Sequence, residues 1–333
     1  MKKKIIITGG AGYIGSHCVL SLVKNDYVPI ILDNFSNSCP SVIKNLESII
    51  NKKIIFYKLD IKNTKKLKLI FKRHKCQAVI HCAGYKSVKE SNRIPIAYLE
   101  NNIQSTLSLL ECMKEHKIYE LIFSSSATVY NQDQKLPWKE TGQIGKTTNP
   151  YGTSKYIIER ILIDIGKSDP KWNFKIARYF NPIGNHPSGL IRDNSKGIPN
   201  NLMPYIVKVA QKKLPYLNVY GKNYSTRDGT CIRDFIHVMD LAEGHIAMLK
   251  KKNHKKRLEI YNFGTGKGST VLEVIKAFEK ETGIHIPFRF AKRRKGDVPI
   301  SLSSSKKAFK KLFWKPKLNL NQAIIDIKAT LNL

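Results

Sequence analysis

A chain of 333 residues, 42% apolar and 25% charged, is long enough for a large core over one or two domains and too apolar for a disordered polymer. Its formal net charge of +33 would suit a nucleic-acid partner. The basic residues are scattered, however (Lys2 to Lys4, Lys65 with Lys66, Lys250 to Lys252, Lys255 to Arg257, Lys306 with Lys307, Lys310 with Lys311), and they come with many Ile and Asn. Lysine drift in an AT-rich genome explains that pattern better than nucleic-acid binding. No apolar run approaches the roughly 20 residues of a membrane span. Gly9, Gly10 and Gly12 break the N-terminal apolar run too early for a signal peptide. The six cysteines show neither a C-x-x-C pair nor zinc spacing, so reduced thiols in a cytosolic protein without a metal site are expected.

Residues 3–8 form a β-branched run ending in glycines, the pattern of a buried parallel strand. Gly9-Gly10-Ala11-Gly12-Tyr13-Ile14-Gly15 follows, then a helical stretch from Ser16 to Lys24. Glycines in such a turn let backbone approach a pyrophosphate at the helix N-terminus. A second strand, Val28 to Leu32, ends in Asp33. A carboxylate there, about 20 residues beyond the glycines, can bind both ribose hydroxyls of NAD and repels the 2′-phosphate of NADP. A mere turn-capping role for Asp33 fits the strand–loop–helix–strand context less well.

Further strands are expected at Ile54 to Leu59, before Asp60-Ile61, and at Gln77 to His81, before Cys82-Ala83-Gly84. Two more follow at Glu120 to Ser124, opening Ser124-Ser125-Ser126, and at Asn173 to Arg178. Helices are expected at Lys65 to Arg73, Ile96 to His116 (with Asn101 and Asn102) and Tyr151 to Ile165. This alternation predicts an α/β fold, a doubly wound, Rossmann-type parallel sheet, with ligands bound beyond the carboxyl ends of its strands. The glycines, Asp33, Asp60, Ala83-Gly84 and the serines all fall at those ends.

After Phe180 the chain is rich in turn residues, Asn181 to Gly189. A short helix opening at 200–204, a strand Leu217 to Tyr220, strand then helix over Phe235 to Leu249, a strand Leu258 to Phe263 and a helix Val271 to Glu281 are expected. The polar end, Phe309 to Leu333, reads as helical. The division expected is 1–180 for an NAD-binding domain, with contributions from about 236–265. Residues 181–235 and 266–333 would form a smaller, interwoven C-terminal substrate region.

In Tyr151-Gly152-Thr153-Ser154-Lys155 a phenol and an ammonium stand one turn apart on one helix face. A nearby ammonium lowers a phenol pKa from about 10 and makes a base for a sugar or alcohol hydroxyl. Alone this spacing says little, because such pairs are common on surface helices.

The glycine turn, Ser124-Ser125-Ser126-Ala127-Thr128-Val129-Tyr130, Tyr151-x-x-x-Lys155 and Arg178-Tyr179-Phe180-Asn181-Pro182 together resemble the extended short-chain dehydrogenase/reductase family, in its branch of NAD-dependent UDP-hexose 4-epimerases. Stretches 83–88, 186–189, 198–206, 232–242 and 291–299 add to the likeness, which runs from about residue 4 to 315. The resemblance implies reversible epimerisation at C4 between UDP-galactose and UDP-glucose. Tyr151, as phenolate, takes the O4 proton while hydride passes from C4 to tightly bound NAD. The 4-keto sugar turns over and the hydride returns to its other face. Lys155 depresses the Tyr151 pKa and bonds the nicotinamide ribose, and Ser126 relays the proton.

The resemblance also assigns the site. NAD lies against Gly9, Gly12, Tyr13, Ile14, Gly15, Asp33, Asn34, Phe35, Ser36, Asn37, Ser38, Asp60, Ile61, Cys82, Ala83, Gly84, Tyr85, Lys86, Asn101, Ser126, Tyr151, Lys155 and Phe180. The UDP-hexose falls to Lys86, Ser126, Tyr151, Tyr179, Asn181, Asn201, Leu202, Asn218, Val219, Tyr220, Arg233, Arg294, Asp297 and Ser301. Arginine suits a diphosphate because its fork directs charge-assisted bonds. A homodimer is implied, through a helix pair such as 96–116 with 151–165; neither nucleic acid nor membrane is expected as a partner.

Three departures stand out: Lys89 where the family has glycine, Thr153 where it has lysine, and Ser301 where a bulky tyrosine usually narrows the sugar pocket. A small residue at 301 leaves room for an N-acetyl group. Two other activities compete. A sugar-nucleotide dehydratase would need an Asp-Glu pair after the catalytic serine, and Ala127 and Thr128 stand there. A non-catalytic NAD- or nucleic-acid-binding protein would have little reason to keep Ser126, Tyr151 and Lys155 together.

Overall fold

The computed structural model describes residues 2–193, 199, 201–251, 258–294 and 296–331. Lys252, Lys255 to Arg257, and positions 198, 200 and 295 of the matching stretches lie outside the described residues. In chain order the first half runs β1 (Lys4–Thr8), α1 (Tyr13–Lys24), β2 (Val28–Asp33), α2 (Ser41–Ile50), β3 (Ile55–Lys58), α3 (Thr64–His74) and β4 (Ala78–His81). Next come α4 (Val88–Arg93), α5 (Pro95–Leu99), α6 (Ser105–Glu115), β5 (Glu120–Ser126), α7 (Pro150–Ser168) and β6 (Asn173–Tyr179). The second half adds β7 (Asn181–Ile183), α8 (Leu202–Ala210), β8 (Leu217–Tyr220), β9 (Ile232–His237), α9 (Val238–Lys250), β10 (Leu258–Phe263), β11 (Gly268–Thr270) and α10 (Val271–Thr282). It closes with β12 (Phe288–Ala291), β13 (Ile300–Ser301), α11 (Lys306–Leu312) and α12 (Leu320–Lys328).

Seven strands form one parallel sheet in the order β3-β2-β1-β4-β5-β6-β10. This is the doubly wound arrangement, in which the order reverses between β1 and β4 and opens a crevice there. Alternation along the strands fills a core on each face. Ile5, Ile7 and Ile31 pack with α1, α2 and α9, through Val19, Leu46 and Leu241. Ile6, Ile30 and Leu32 face the other way, against Leu67 and Phe71 of α3, Leu109 and Met113 of α6, and Ile158 and Leu162 of α7.

A third core gathers α8, β8, α10 and α12 around Met203, Ile206, Leu217, Phe278 and Ile324. β9 joins β11, β13 and β7, so this layer hangs from the segment that directly follows β6.

Several expected elements differ in detail. The single helix expected over 96–116 is α5 and α6 joined by a wide π-type turn at Glu100–Gln104. The expected helical end is two helices, separated where Phe313 adopts φ +53 and Pro316 follows. α2 has no counterpart in the sequence reading, although its apolar residues Val42, Ile43, Leu46, Ile49 and Ile50 recur at helical spacing and pack on the sheet.

Candidate active site

The turn after β1 is shaped by glycine. Gly9 has φ +68, and a Cβ there would lie 2.7 Å from the Ala83 nitrogen. A Cβ on Gly15 would lie 2.1 Å from the Gly9 carbonyl oxygen. The glycine turn and the end of β4 thus touch, and the Ala83 amide donates to Thr8 Oγ1 at 3.3 Å. Gly12 caps α1 with no side chain bonded over the helix end and no acidic residue in the first turn. The free amides of that turn fit a pyrophosphate.

Asp33, buried at the end of β2, accepts from the amides of Ala11 (3.0 Å) and Phe35 (2.9 Å) and from Ser38 Oγ (2.9 Å). It therefore ties the glycine turn to the next loop, and Oδ2, which accepts only the Ala11 bond among those named, keeps capacity for a further donor such as a ribose hydroxyl. Asn34, Ser36 and Asn37 lie exposed beside it. Asp60 accepts from the Lys62 amide at 3.0 Å, next to buried Ile61. These residues fit a dinucleotide with an unphosphorylated ribose.

The opposite wall comes from β4, β5 and α7. Asn149 caps α7, accepting from the Gly152 amide at 2.9 Å, and Pro150 starts the helix with its fixed φ. Tyr151, Lys155 and Glu159 then share one face. Lys155 is buried; its Nζ donates to the Ser124 carbonyl at 2.7 Å and lies 5.9 Å from the centre of the Tyr151 ring. Burial lowers the Lys155 ammonium to about 8, against the pull of Cys82 and Glu159. Burial raises the Tyr151 phenol above its ordinary value of 10.0, and a hydrogen bond from Ser126 opposes that rise. Ser126 thus favours the phenolate through its hydrogen bond. The lysine answers the strand carbonyl instead, because a desolvated ammonium takes the nearest strong acceptor.

Other assigned residues divide by reach. Asn102, not Asn101, organises the loop after β4: its Oδ1 accepts from the Tyr85 amide at 2.8 Å, and its Nδ2 donates to Ser154 Oγ at 2.9 Å. Asn101 Nδ2 donates to Asn102 Oδ1 at 3.2 Å. Tyr13 donates to the Gly184 carbonyl at 2.6 Å, and Lys86 pairs with Asp193 at 3.3 Å, so both link the two halves of the chain. The Tyr179 hydroxyl is committed inside, to Ser124 Oγ and His245 Nε2, at 2.6 Å each. Phe180 packs with Tyr130 and Trp138. Lys89 is exposed on α4, and Thr153 bonds Thr147 at 2.6 Å.

A second group gathers around β8, β9 and the loop between β12 and β13. Arg294 lies 4.4 Å over the Tyr220 ring and donates to Asp297 at 3.1 Å. Arg233 donates to the Val298 carbonyl (2.8 Å) and to Asp297 (3.5 Å), and pairs in register with buried Ser301. Asn218 is held by Arg289 at 3.0 Å, next to buried Val219. Asn181 lies on β7. Asn201 precedes Leu202 at the start of α8, and its side chain does not cap that helix. An aromatic ring, two guanidiniums and a carboxylate in one cluster can take a base, a diphosphate and a ribose.

The family model for the NAD dependent epimerase/dehydratase family matches residues 5–264. The chain belongs to that family. Within the family it is 49% identical over 324 residues to the UDP-glucose 4-epimerase of Dictyostelium discoideum, covering 97% of this chain and 94% of the relative. It is 44% identical to the bovine (Bos taurus) UDP-glucose 4-epimerase, with 98% and 96% covered. A crystal structure of UDP-glucose 4-epimerase from Bifidobacterium longum, in complex with NAD+ and UDP, superposes with a TM-score of 0.95 at 44% identity, covering 98% of each chain. The UDP-Glc/GlcNAc 4-epimerase of Campylobacter jejuni gives 0.83 at 32% identity, again with 98% of each chain. NAD is thus the cofactor of this family member, in keeping with the buried carboxylate of Asp33 at the end of β2.

Sequence reasoning missed three residues of the site's frame. Asn102 stood beside a candidate without a signal to prefer it. His81 bridges Thr8 (2.7 Å) and Thr106 (3.0 Å), and burial lowers it to about 3, so it is neutral. Glu159 had a readable signal: it follows Tyr151 and Lys155 at the same four-residue step.

Proposed function

We propose that the chain inverts C4 of UDP-hexoses, interconverting UDP-galactose and UDP-glucose, with NAD retained through the cycle. What supports this reading most is the meeting of Ser126, Tyr151 and Lys155, in a chain that also gathers Tyr220, Arg294, Asp297 and Arg233 into one cluster. Bound NAD supplies the oxidised ring that accepts the C4 hydrogen and returns it. Ser126 hands the O4 proton to Tyr151 and back. Burial raises the Tyr151 phenol, so its service as a base requires positive charge beside it. Lys155 is placed to supply that charge by turning from the Ser124 carbonyl. Arg233, Arg294 and Asp297 hold the nucleotide, so that the sugar can turn over without leaving. Thr128 Oγ1 donates to Ser126 Oγ at 3.0 Å, and with Ala127 it leaves no acid–base pair for dehydration.

Mixing the pure protein with UDP-galactose, without added NAD, is expected to yield UDP-glucose. An absolute requirement for added nicotinamide cofactor in every turnover, or no product at all, contradicts the proposal. Ser301 favours a wider substrate range. The residue is small, lies beside Arg233 in the sheet, and a 32% identical relative bears a name that includes GlcNAc. UDP-N-acetylglucosamine is therefore expected to give UDP-N-acetylgalactosamine, read by chromatography; turnover confined to the unsubstituted sugars ends the idea.

We also propose a homodimer, formed through the helical run of α5, α6 and α7, where Ile96 and Leu107 are exposed apolar residues. The six cysteines are free thiols, which suits a cytosolic setting.

A further inference from the structure

Cys18 on α1, Cys82 at the end of β4 and His245 on α9 converge beneath the sheet edge that carries Ser124. Two Sγ atoms and one imidazole nitrogen lie within 4.8 Å of one another. Cys18 and His245 are buried, and Cys82 is half-buried. We propose that this triad is a binding site for a thiophilic divalent cation of the zinc class, coupled to the active site through Ser124.

The donor set suits such an ion. Two thiolates and a neutral imidazole are ordinary zinc ligands, at about 2.3 Å for sulfur and 2.0–2.1 Å for nitrogen. Tetrahedral geometry then places the ligand atoms roughly 3.5–3.8 Å apart, so the triad has to close by about 1 Å. His245 is already oriented as a ligand. Its Nδ1 lies 2.9 Å from the Leu241 carbonyl, an acceptor only, so that nitrogen carries the proton. Nε2 keeps its lone pair and now receives the Tyr179 hydroxyl. Burial holds the imidazole neutral, lowering it to about 4. A hydrogen bond from Cys18 lowers the Cys82 thiol, with further help from Ser124 and Lys155. Burial raises Cys18. Binding transfers the two thiol protons to solvent, and the dication with two thiolates is neutral overall, which a buried site tolerates.

The coupling follows from hydrogen bonds already formed. Ser124 Oγ contacts Cys82 Sγ at 3.1 Å and the Tyr179 hydroxyl at 2.6 Å, while the Ser124 carbonyl takes Lys155 Nζ at 2.7 Å. An ion on His245 Nε2 displaces the Tyr179 hydroxyl and pulls Cys82 from Ser124. The strand carbonyl that orients Lys155 then shifts. Occupancy is expected to slow turnover, though the site is defined by binding and not by activity. No local spacing advertises it, because the three ligands come from three distant elements.

The test is a zinc titration of the untagged full chain against a chromophoric chelator, with a non-thiol reductant and no nucleotide sugar. One zinc per chain is expected. Cys18→Ala and His245→Gln are each expected to weaken it at least tenfold, and Cys39→Ala, which removes an exposed thiol, to leave it unchanged. Wild-type affinity in folded Cys18→Ala, or no saturable site in the wild type, overturns the proposal. Should Cys18→Ala not fold, cadmium added to the Cys39→Ala chain reads the same point. An ultraviolet thiolate–cadmium band that saturates at one ion per chain in Cys39→Ala supports the site, and its absence overturns it. Neither readout depends on the sugar chemistry, so failure here is separate from failure of the epimerase reading.

Discussion

Tyr151→Phe is expected to lower kcat for UDP-galactose by about 10³-fold, the middle of the range for a general acid–base group, while NAD stays bound. That loss corresponds to about 4 kcal/mol of barrier. The substitution removes one oxygen and keeps the ring, so the fit of α7 against the sheet is unchanged. The contacts expected of the cofactor at the glycine turn and around Asp33 do not involve this oxygen. NAD released on denaturation and the unfolding temperature should therefore match the wild type. A change in KM alone, with kcat preserved, contradicts Tyr151 as the proton carrier. Ser126→Ala should lose less, because Ser126 is argued to move a proton that Tyr151 finally holds.

Glu159→Ala is expected to cost about 3–5 kcal/mol of stability, the usual penalty for stranding a buried charge. Glu159 and Arg178 are 0% and 1% exposed in their side chains and bond at 2.6 Å. The carboxylate also accepts from Arg178 Nε at 3.0 Å and from Ser125 Oγ at 2.5 Å. Removing it leaves the guanidinium with the Glu140 carbonyl at 3.3 Å and the face of Tyr130. An unfolding temperature lower by roughly 10 °C is the corresponding readout for a chain of this size. Because Glu159 fixes α7 to β5 and β6, turnover should fall as well, by loosening Tyr151 and Lys155. A loss below about 1 kcal/mol contradicts the reading of Arg178 as a buried charge that Glu159 alone compensates.

The alternation of strands and helices was legible because a parallel sheet buries both faces and leaves continuous β-branched runs such as Ile5-Ile6-Ile7 and Ile30-Ile31-Leu32. The glycine turn and Asp33 were legible because their chemistry is local: a tight turn and a strand-end carboxylate follow one another in sequence. The strands β7, β11 and β13 were not, since two or three residues carry no period, and β12 was not read either. The wide turn at 100–104 was hidden inside a helical pattern for the same reason. Lys155 shows another limit. Spacing places it one turn from Tyr151, but the carbonyl that takes its ammonium belongs to Ser124 on a different strand, and only the folded chain brings the two together. The Arg233–Asp297–Arg294 grouping was reached through family resemblance, because arginines in a chain of this charge are individually uninformative. Its members meet through β9, β13 and the loop between β12 and β13.

The central claim is that one hydrogen leaves C4 and returns to the same carbon within a closed site. Incubating the protein with UDP-galactose carrying deuterium at C4, then locating the label in the UDP-glucose formed, tests this directly. The account predicts deuterium retained at C4 of the product with no label released to water; deuterium lost to solvent, or product formed with protium at C4, contradicts it.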